Sequence, residues 1–329
     1  MKKLLVSMLA LGLMLTGCSD TSDTTESKEL SEMKIGVIQL AQHPALDKAY
    51  EGFKDTLVDG GVKEENIEFQ NASGDASNCQ TISEKYVNDN KDLIYAIATD
   101  ALQAAANKTT TIPVIGAAVT NFTKDGGAGV VESNEKPGTN VTGASDMNPV
   151  KEQMDLLKKL VPTAKKVAIF YCGDEANSIY QGEIAMEAAK KIGLDAEIVT
   201  VSNDSSAIQQ VTESLIGKYD AVYIPTDNLL ASNMATVAQV TNANNLPVIV
   251  GEESMCTNGG LATLSLDYST VGVNAGKQAL AILKGEATPQ ETPISFIEGK
   301  DCTYMINKKV AEQLNIDIPS DIEFKVLGE

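Results

Sequence analysis

The sequence predicts an α/β fold built as two lobes, each around a parallel sheet. Three observations carry that reading. Short runs rich in Val and Ile alternate with amphipathic stretches from Lys34 to near the C-terminus, the pattern of β-α-β units. Residues 34–329 of a chain that is 43% hydrophobic can furnish two cores of ordinary size. One strand, turn, helix, strand device also occurs twice: Asp92-Leu-Ile-Tyr-Ala-Ile-Ala-Thr-Asp100 with Ile112-Pro-Val-Ile, and Asp220-Ala-Val-Tyr-Ile-Pro-Thr-Asp227 with Leu246-Pro-Val-Ile.

At the N-terminus, Lys2 and Lys3 precede an apolar stretch over residues 4–15 that ends in Leu15-Thr16-Gly17-Cys18. It reads as an export signal over residues 1–18, too short for a comfortable transmembrane helix. Small residues directly before a cysteine resemble the lipobox of bacterial lipoproteins, which makes Cys18 the lipidated first residue of the mature chain. The expected location is the extracytoplasmic face of the cell membrane. Residues 19–33, rich in Ser, Thr, Asp and Glu without apolar periodicity, read as a disordered tether.

Strands are predicted over residues 34–39, 93–99, 113–119, 166–171, 197–201, 221–225, 247–250 and 261–266. Residues 44–59 carry Leu46, Ala49, Phe53 and Leu57 at helical spacing, with His43 at the N-cap and Pro44 at the first helical position. Asn148-Pro149 opens another helix, with Val150, Met154, Leu157 and Leu160 facing inward. In the echoed device, Thr99-Asp100 and Thr226-Asp227 fall where a strand ends and a helix begins. Open parallel sheets bind ligands at the carboxyl ends of their strands, so two facing lobes would aim both pairs into one cleft. Asp100 serves equally as a helix cap or a ligand contact, whereas Asp227 followed by Asn228 is the stronger ligand candidate.

Composition narrows the chemistry. The formal net charge of −19 disfavours nucleic acid as a partner. All 26 basic residues are lysine, so a ligand carboxylate must be held by hydroxyls, lysine or backbone N–H groups at helix starts, without a bidentate guanidinium. Cys79, Cys172, Cys256 and Cys302 are widely spaced and His43 is the only histidine, so no zinc site is written here, and buried thiols are the plain reading. No Gly-x-Ser-x-Gly, Gly-x-Gly-x-x-Gly or P-loop occurs, and no cofactor is expected. Glu252-Glu253 follows a strand; adjacent residues point to opposite sides, so they form no carboxylate dyad, and Glu252 is the one placed as a ligand contact.

A series of short stretches now coincides with a known family: Ile38-Gln39 with His43-Pro44-Ala45-Leu46-Asp47, Ala96-Ile-Ala-Thr99, Pro113-Val114 with Ala118-Val119-Thr120, Asn140-Val-Thr-Gly-Ala-Ser-Asp146, Glu175-Ala-Asn-Ser178, Pro225-Thr-Asp-Asn228 and Gly251-Glu252. Together they resemble the ABC-transporter substrate-binding lipoproteins of the tryptophan/tyrosine-binding family, over about residues 34–318. The resemblance implies a type I periplasmic-binding-protein fold, two Rossmann-like lobes joined by three hinge strands, and an aromatic amino acid as ligand. The lobes are then expected at 34–146 with about 268–293, and at 147–267 with about 294–329. Asn121-Phe122 replaces the family's frequent Asp-Pro, and Asp100 stands where a small residue or proline is usual.

The expected mechanism is a hinged trap that docks on a permease and makes or breaks no bond. The α-ammonium is assigned to Asp227, with Asn228 and Asn177. The α-carboxylate is assigned to the surroundings of Thr99, Thr120 and Ser145, with Ser178 assisting from the second lobe. Gln39 and the turn from His43 to Leu46 frame the side chain, and Phe122, Tyr180 or Tyr268 stacks on it. Thr226 and Asp267 complete the strand-end set. The protein is expected to act as a monomer. A branched-chain amino acid or nucleoside as ligand, a sensory binding subunit, and a surface enzyme with a carboxylate site are the rival readings.

Overall fold

The computed structural model describes residues 28–328. The signal stretch, Cys18 and tether residues 19–27 lie outside them. The tether expectation needs correcting at its end: Leu30–Glu32 forms a 3₁₀ turn, and Leu30 and Met33 pack against the first core, because two apolar residues there find apolar cover.

The first lobe runs β1 (Ile35–Gln39), α1 (Pro44–Asp59), β2 (Ile67–Asn71), α2 (Ala76–Asn88), β3 (Leu93–Ile97), α3 (Thr99–Lys108), β4 (Val114–Val119) and β5 (Val141–Ser145). The second follows with α4 (Val150–Leu160), β6 (Lys166–Cys172), α5 (Ala176–Lys191), β7 (Asp195–Val201), α6 (Ile208–Glu213), β8 (Ala221–Ile224), α7 (Asn228–Ser232), α8 (Met234–Ala243), β9 (Val248–Val250), α9 (Glu253–Thr257) and β10 (Ala262–Ser265). The chain then returns to the first lobe as α10 (Tyr268–Leu283) and ends in the second with β11 (Thr303–Asn307), α11 (Lys308–Gln313) and β12 (Lys325–Leu327). Leu266, Tyr268, Val271 and Ile294 belong to the first core. The chain therefore passes between the lobes three times.

Both sheets share one plan. The first is fully parallel in the order β2-β1-β3-β4-β5. The second has β7-β6-β8-β9-β10 in the same parallel order, extended by β11, antiparallel to β10, and by β12. Strands β1, β3, β4, β8 and β9 are wholly buried, which is why they read as continuous apolar runs. The strands absent from the sequence reading have physical reasons for being faint. Strand β2 is a half-buried edge that alternates with Glu68 and Gln70, and β5 is Val-Thr-Gly-Ala-Ser, buried but built from small residues.

The echo in the sequence is a structural repeat of equivalent strands, β3 with β8 and β4 with β9. Asp92 at the foot of β3 accepts from Lys34 N at 2.6 Å, and Asp220 at the foot of β8 accepts from Lys165 N and Lys166 N at 2.8 and 2.9 Å. Each carboxylate thus ties its strand to the start of the lobe's first strand. At the other end the repeat breaks register. Helix α3 begins at Thr99 after Ala98, whereas α7 begins at Asn228 after Asp227. The two Thr-Asp pairs are therefore not equivalent: Ala98 alone separates β3 from α3, so Thr99-Asp100 lies inside its helix, whereas Pro225, Thr226 and Asp227 separate β8 from α7.

Helix α10 lies along α1 at glycine contacts: a Cβ on Gly272 would stand 2.2 Å from Ala49 O, and one on Gly52 would stand 2.4 Å from Ser269 O. Glycine lets the two backbones meet there, which fixes Tyr268, at the first turn of α10, beside the cleft.

Candidate ligand-binding cleft

The lobes face each other across the carboxyl ends of their strands, and a narrow chamber of about 20 Å³ lies between them. That is far below the range of about 300–1,000 Å³ common for small-molecule sites, so the closed lobes leave room for little more than a water molecule. From the first lobe it is lined by His43 and Leu46 at the start of α1, Ala118 and Thr120 at the end of β4, Asp146 after β5, and Tyr268. From the second lobe come Asn177 on α5, Thr226, Asp227, Asn228 and Ala231 after β8, and Glu252 after β9.

The walls carry three carboxylates and no lysine. Asp227 is buried and already occupied by the protein: Oδ1 accepts from Leu230 N at 2.8 Å, and Oδ2 accepts from Cys172 N and Ser178 Oγ, each at 2.7 Å. It caps α7. Burial and the charge of neighbouring Glu175 push its carboxyl up to about 8. Glu252 caps α9 in the same manner, accepting from Ser254 N at 2.6 Å, Ser254 Oγ at 2.5 Å and Met255 N at 2.8 Å.

Asp146 differs from both. Its oxygens meet only side-chain hydroxyls, Tyr268 OH at 2.8 Å and Thr120 Oγ1 at 3.3 Å. Burial pushes its carboxyl up to about 6, against the pull of those two donors. It is the chamber carboxylate with capacity to spare, since an ionised carboxylate offers about four acceptor positions.

Several expected ligand residues stand elsewhere. Gln39 donates to Ala41 O at 2.9 Å and to Asp47 Oδ1 at 2.7 Å, holding the turn into α1. Thr99 is buried in the first turn of α3, and Asp100 lines an outer basin, where burial and Glu175 raise its carboxyl to about 6. Asp100 is not the cap of α3; that position belongs to Ala98. Ser145 Oγ donates back to Thr120 O and accepts from Met147 N. Asp267 needs the plainest correction: it is the exposed N-cap of α10, accepting from Ser269 N and Thr270 Oγ1 on the outside of the molecule.

The capping role given to His43 also fails at its side chain, which makes no cap bond and instead approaches Asn228 Oδ1 with Nε2 at 3.3 Å, across the lobes. Of the aromatic residues considered for stacking, Tyr268 lines the chamber, whereas Phe122 is a core ring against Gly116 and Tyr180 covers Gly126.

Sequence reasoning missed Asp146 and Glu175. Asp146 closes the quoted 140–146 stretch, but Ser145 was chosen from it; successive side chains leave a strand on opposite faces, and the acid is the one that turns to the chamber. Glu175 is the hidden organiser of the second lobe. Its Oε1 accepts from Leu229 N at 2.9 Å, and its Oε2 accepts from Asn228 N, Asn228 Nδ2 and Asn177 Nδ2 at 3.0, 2.7 and 2.9 Å. The four thiols are unpaired, three of them buried, and among the described residues no cluster suited to a metal ion occurs.

The lobes are closed. Beyond the contact of His43 with Asn228, Gln181 Nε2 reaches Thr120 Oγ1 at 3.3 Å, Asn203 Nδ2 donates to Gly74 O at 3.3 Å, and Lys48 pairs with Glu253 at 2.8 Å.

Two doubly wound lobes, three crossings and a polar chamber between strand ends define a two-lobed solute-binding protein. The model of the family described as ABC transporter substrate binding protein matches residues 34–326, and the chain belongs to that family. It is a substrate-binding, non-enzymatic class that works outside the cytoplasm. A tyrosine-binding protein of Clostridioides difficile is 39% identical over 327 residues, covering 96% of this chain and 93% of that one. An ABC domain from Streptococcus pneumoniae in complex with L-Trp superposes with a TM-score of 0.84 at 36% identity, over 90% of this chain and 99% of that one. The ligand-free, open structure of a substrate binding protein with adhesive properties from Clostridium difficile, at the same identity and coverage, gives 0.67. The lower score against an open form agrees with the closed lobes seen here. No helix among the described residues is long and apolar enough to cross a membrane.

Proposed function

We propose that this protein captures an aromatic amino acid between its lobes and presents it to the permease of an ABC importer, as a monomer held to the membrane through lipid on Cys18 and without chemistry on the ligand. The chamber carries the reading. It lies between the lobes at the strand ends, with carboxylates on its walls and no lysine to neutralise them. A ligand that brings an ammonium group resolves that imbalance, because a buried charge left unpaired is costly.

Asp146 receives the ammonium in this proposal, since its only donors are hydroxyls that can rotate, while two backbone N–H groups pin Asp227. Asp227, Asn177 and Asn228 shape the second lobe's wall around it. The carboxylate lies toward the Thr120 hydroxyl at the end of β4. The tyrosine-binding relative and the L-Trp complex support an aromatic side chain.

Thermal shift and calorimetry on the chain lacking residues 1–18, against the twenty amino acids and common nucleosides, test this. Tyr, Trp or Phe is expected to raise the melting temperature; a ligand at 100 times its Kd adds about 2.7 kcal/mol. Stabilisation only by branched-chain amino acids or nucleosides would overturn the aromatic reading.

A further inference from the structure

One polar atom of the chamber wall has nothing to bind. His43 is 7% exposed, its ring lines the chamber, and Nδ1 is buried with no hydrogen-bond partner. Its tautomer follows from its neighbours. Glu175 can only accept, and it takes both the backbone N–H and the side-chain Nδ2 of Asn228, which fixes that amide with Oδ1 toward the ring. Nε2 must therefore carry the hydrogen, and Nδ1 of the neutral ring keeps a bare lone pair. Among the described residues no group reaches that lone pair, and a donor on a solute entering the chamber would satisfy it. Leu46 follows His43 at a spacing that shares one helix face, and Ala118 and Ala231 complete the apolar lining. Three apolar side chains and one unpaired ring acceptor in the lining match a ring that carries one N–H or O–H.

We propose that His43 Nδ1 is the specificity-determining acceptor for a hydrogen-bond donor on the ligand's aromatic ring, so that a phenol or indole ring is taken and a bare phenyl ring is refused. This rests on the aromatic reading above. A site built around a ligand donor rejects the analogue without it, because the acceptor is then buried unsatisfied.

The test is calorimetry with tyrosine, tryptophan and phenylalanine on the wild type, His43→Gln and His43→Asn, with melting temperatures taken alongside. A glutamine amide places its nitrogen near Nε2 and loses the Nδ1 acceptor; an asparagine amide can place an oxygen near Nδ1 and loses the contact with Asn228. The wild type is expected to prefer tyrosine or tryptophan over phenylalanine by about ten- to a hundredfold. His43→Gln should erase that ratio by weakening only the donor-bearing ligand, and His43→Asn should keep part of it. A ratio unchanged in His43→Gln overturns the proposal. So does an equal loss for all three amino acids, which would place the imidazole on the shared head group. If none of the three binds the wild type, the proposed function itself falls.

Discussion

Asp146 and Asp227 illustrate how alike two carboxylates look in a sequence and how differently they are employed. Both end a strand and line the chamber, but Asp227 spends its oxygens on Leu230 N, Cys172 N and Ser178 Oγ, and Asp146 meets only two hydroxyls. Asp146→Asn is therefore expected to weaken amino-acid binding by about 2–5 kcal/mol in calorimetry, the cost of removing a buried charge partner, with a small effect on folding. Asp227→Asn should do the reverse, lowering stability by about 1–3 kcal/mol in denaturant titrations, because the amide keeps an oxygen on Leu230 N but sets an NH₂ donor against Cys172 N. Asp146 also carries a pH signature. Its carboxyl is raised to about 6, so the protonated form favours the ligand-free fold below the ordinary carboxylate pKa of about 3.9, and that contribution is lost as pH rises through about 6. An ammonium binds the ionised form, so wild-type affinity should climb between about pH 5 and pH 7, and Asp146→Asn should flatten the profile. What could be read at this scale was residue type; which lone pairs remain free could not, because donors from Cys172, Ser178 and Leu230 reach Asp227 only once the second lobe has folded.

Among the elements, the start of α3 is the unusual one. Ala98 has φ +84° and ψ 160°, a region that glycine occupies freely and other residues adopt only at a cost of order 1–3 kcal/mol, and it offers no side chain to cap the helix. The helix start is left without a side-chain cap. Ala98→Gly should raise the melting temperature, corresponding to about 1 kcal/mol, while leaving amino-acid affinity nearly unchanged; loss of stability would show that the Ala98 methyl group matters more than its backbone. The strand cores were legible because fully buried parallel strands must be continuous apolar runs, and the helix of residues 44–59 because Pro44 and its apolar spacing leave no other reading. The echoed Asp92 and Asp220 were visible as repeats, though their task of tying each sheet's third strand to its first was not. Edge strand β2 stayed hidden because its residues are only half-buried and polar ones alternate along it.

At the scale of the whole molecule the closed state is held by few contacts. Lys48 on α1 reaches Glu253 on α9, which also binds Lys325 of the C-terminal strand. With Lys48 side chain 40% exposed, this pair contributes at most about 1 kcal/mol. Lys48→Met should therefore reduce ligand affinity by no more than about fivefold, mainly through faster release, and the difference from wild type should shrink as salt is raised. Stopped-flow release and small-angle scattering of the ligand-free form would show the shift toward open lobes; unchanged release at low salt would mean that the pair does not assist closure. The sequence by itself determined the two α/β lobes, the repeated device and the absence of any guanidinium clamp, because these follow from local apolar periodicity and composition. Only the tertiary structure decided which carboxylate stays available and that His43 keeps an unpaired nitrogen beside the cleft. Those outcomes depend on hydrogen-bond partners such as Thr120 for Asp146 and Asn228 for His43, 26 and 185 residues away, and sequence spacing says nothing about contacts of that range.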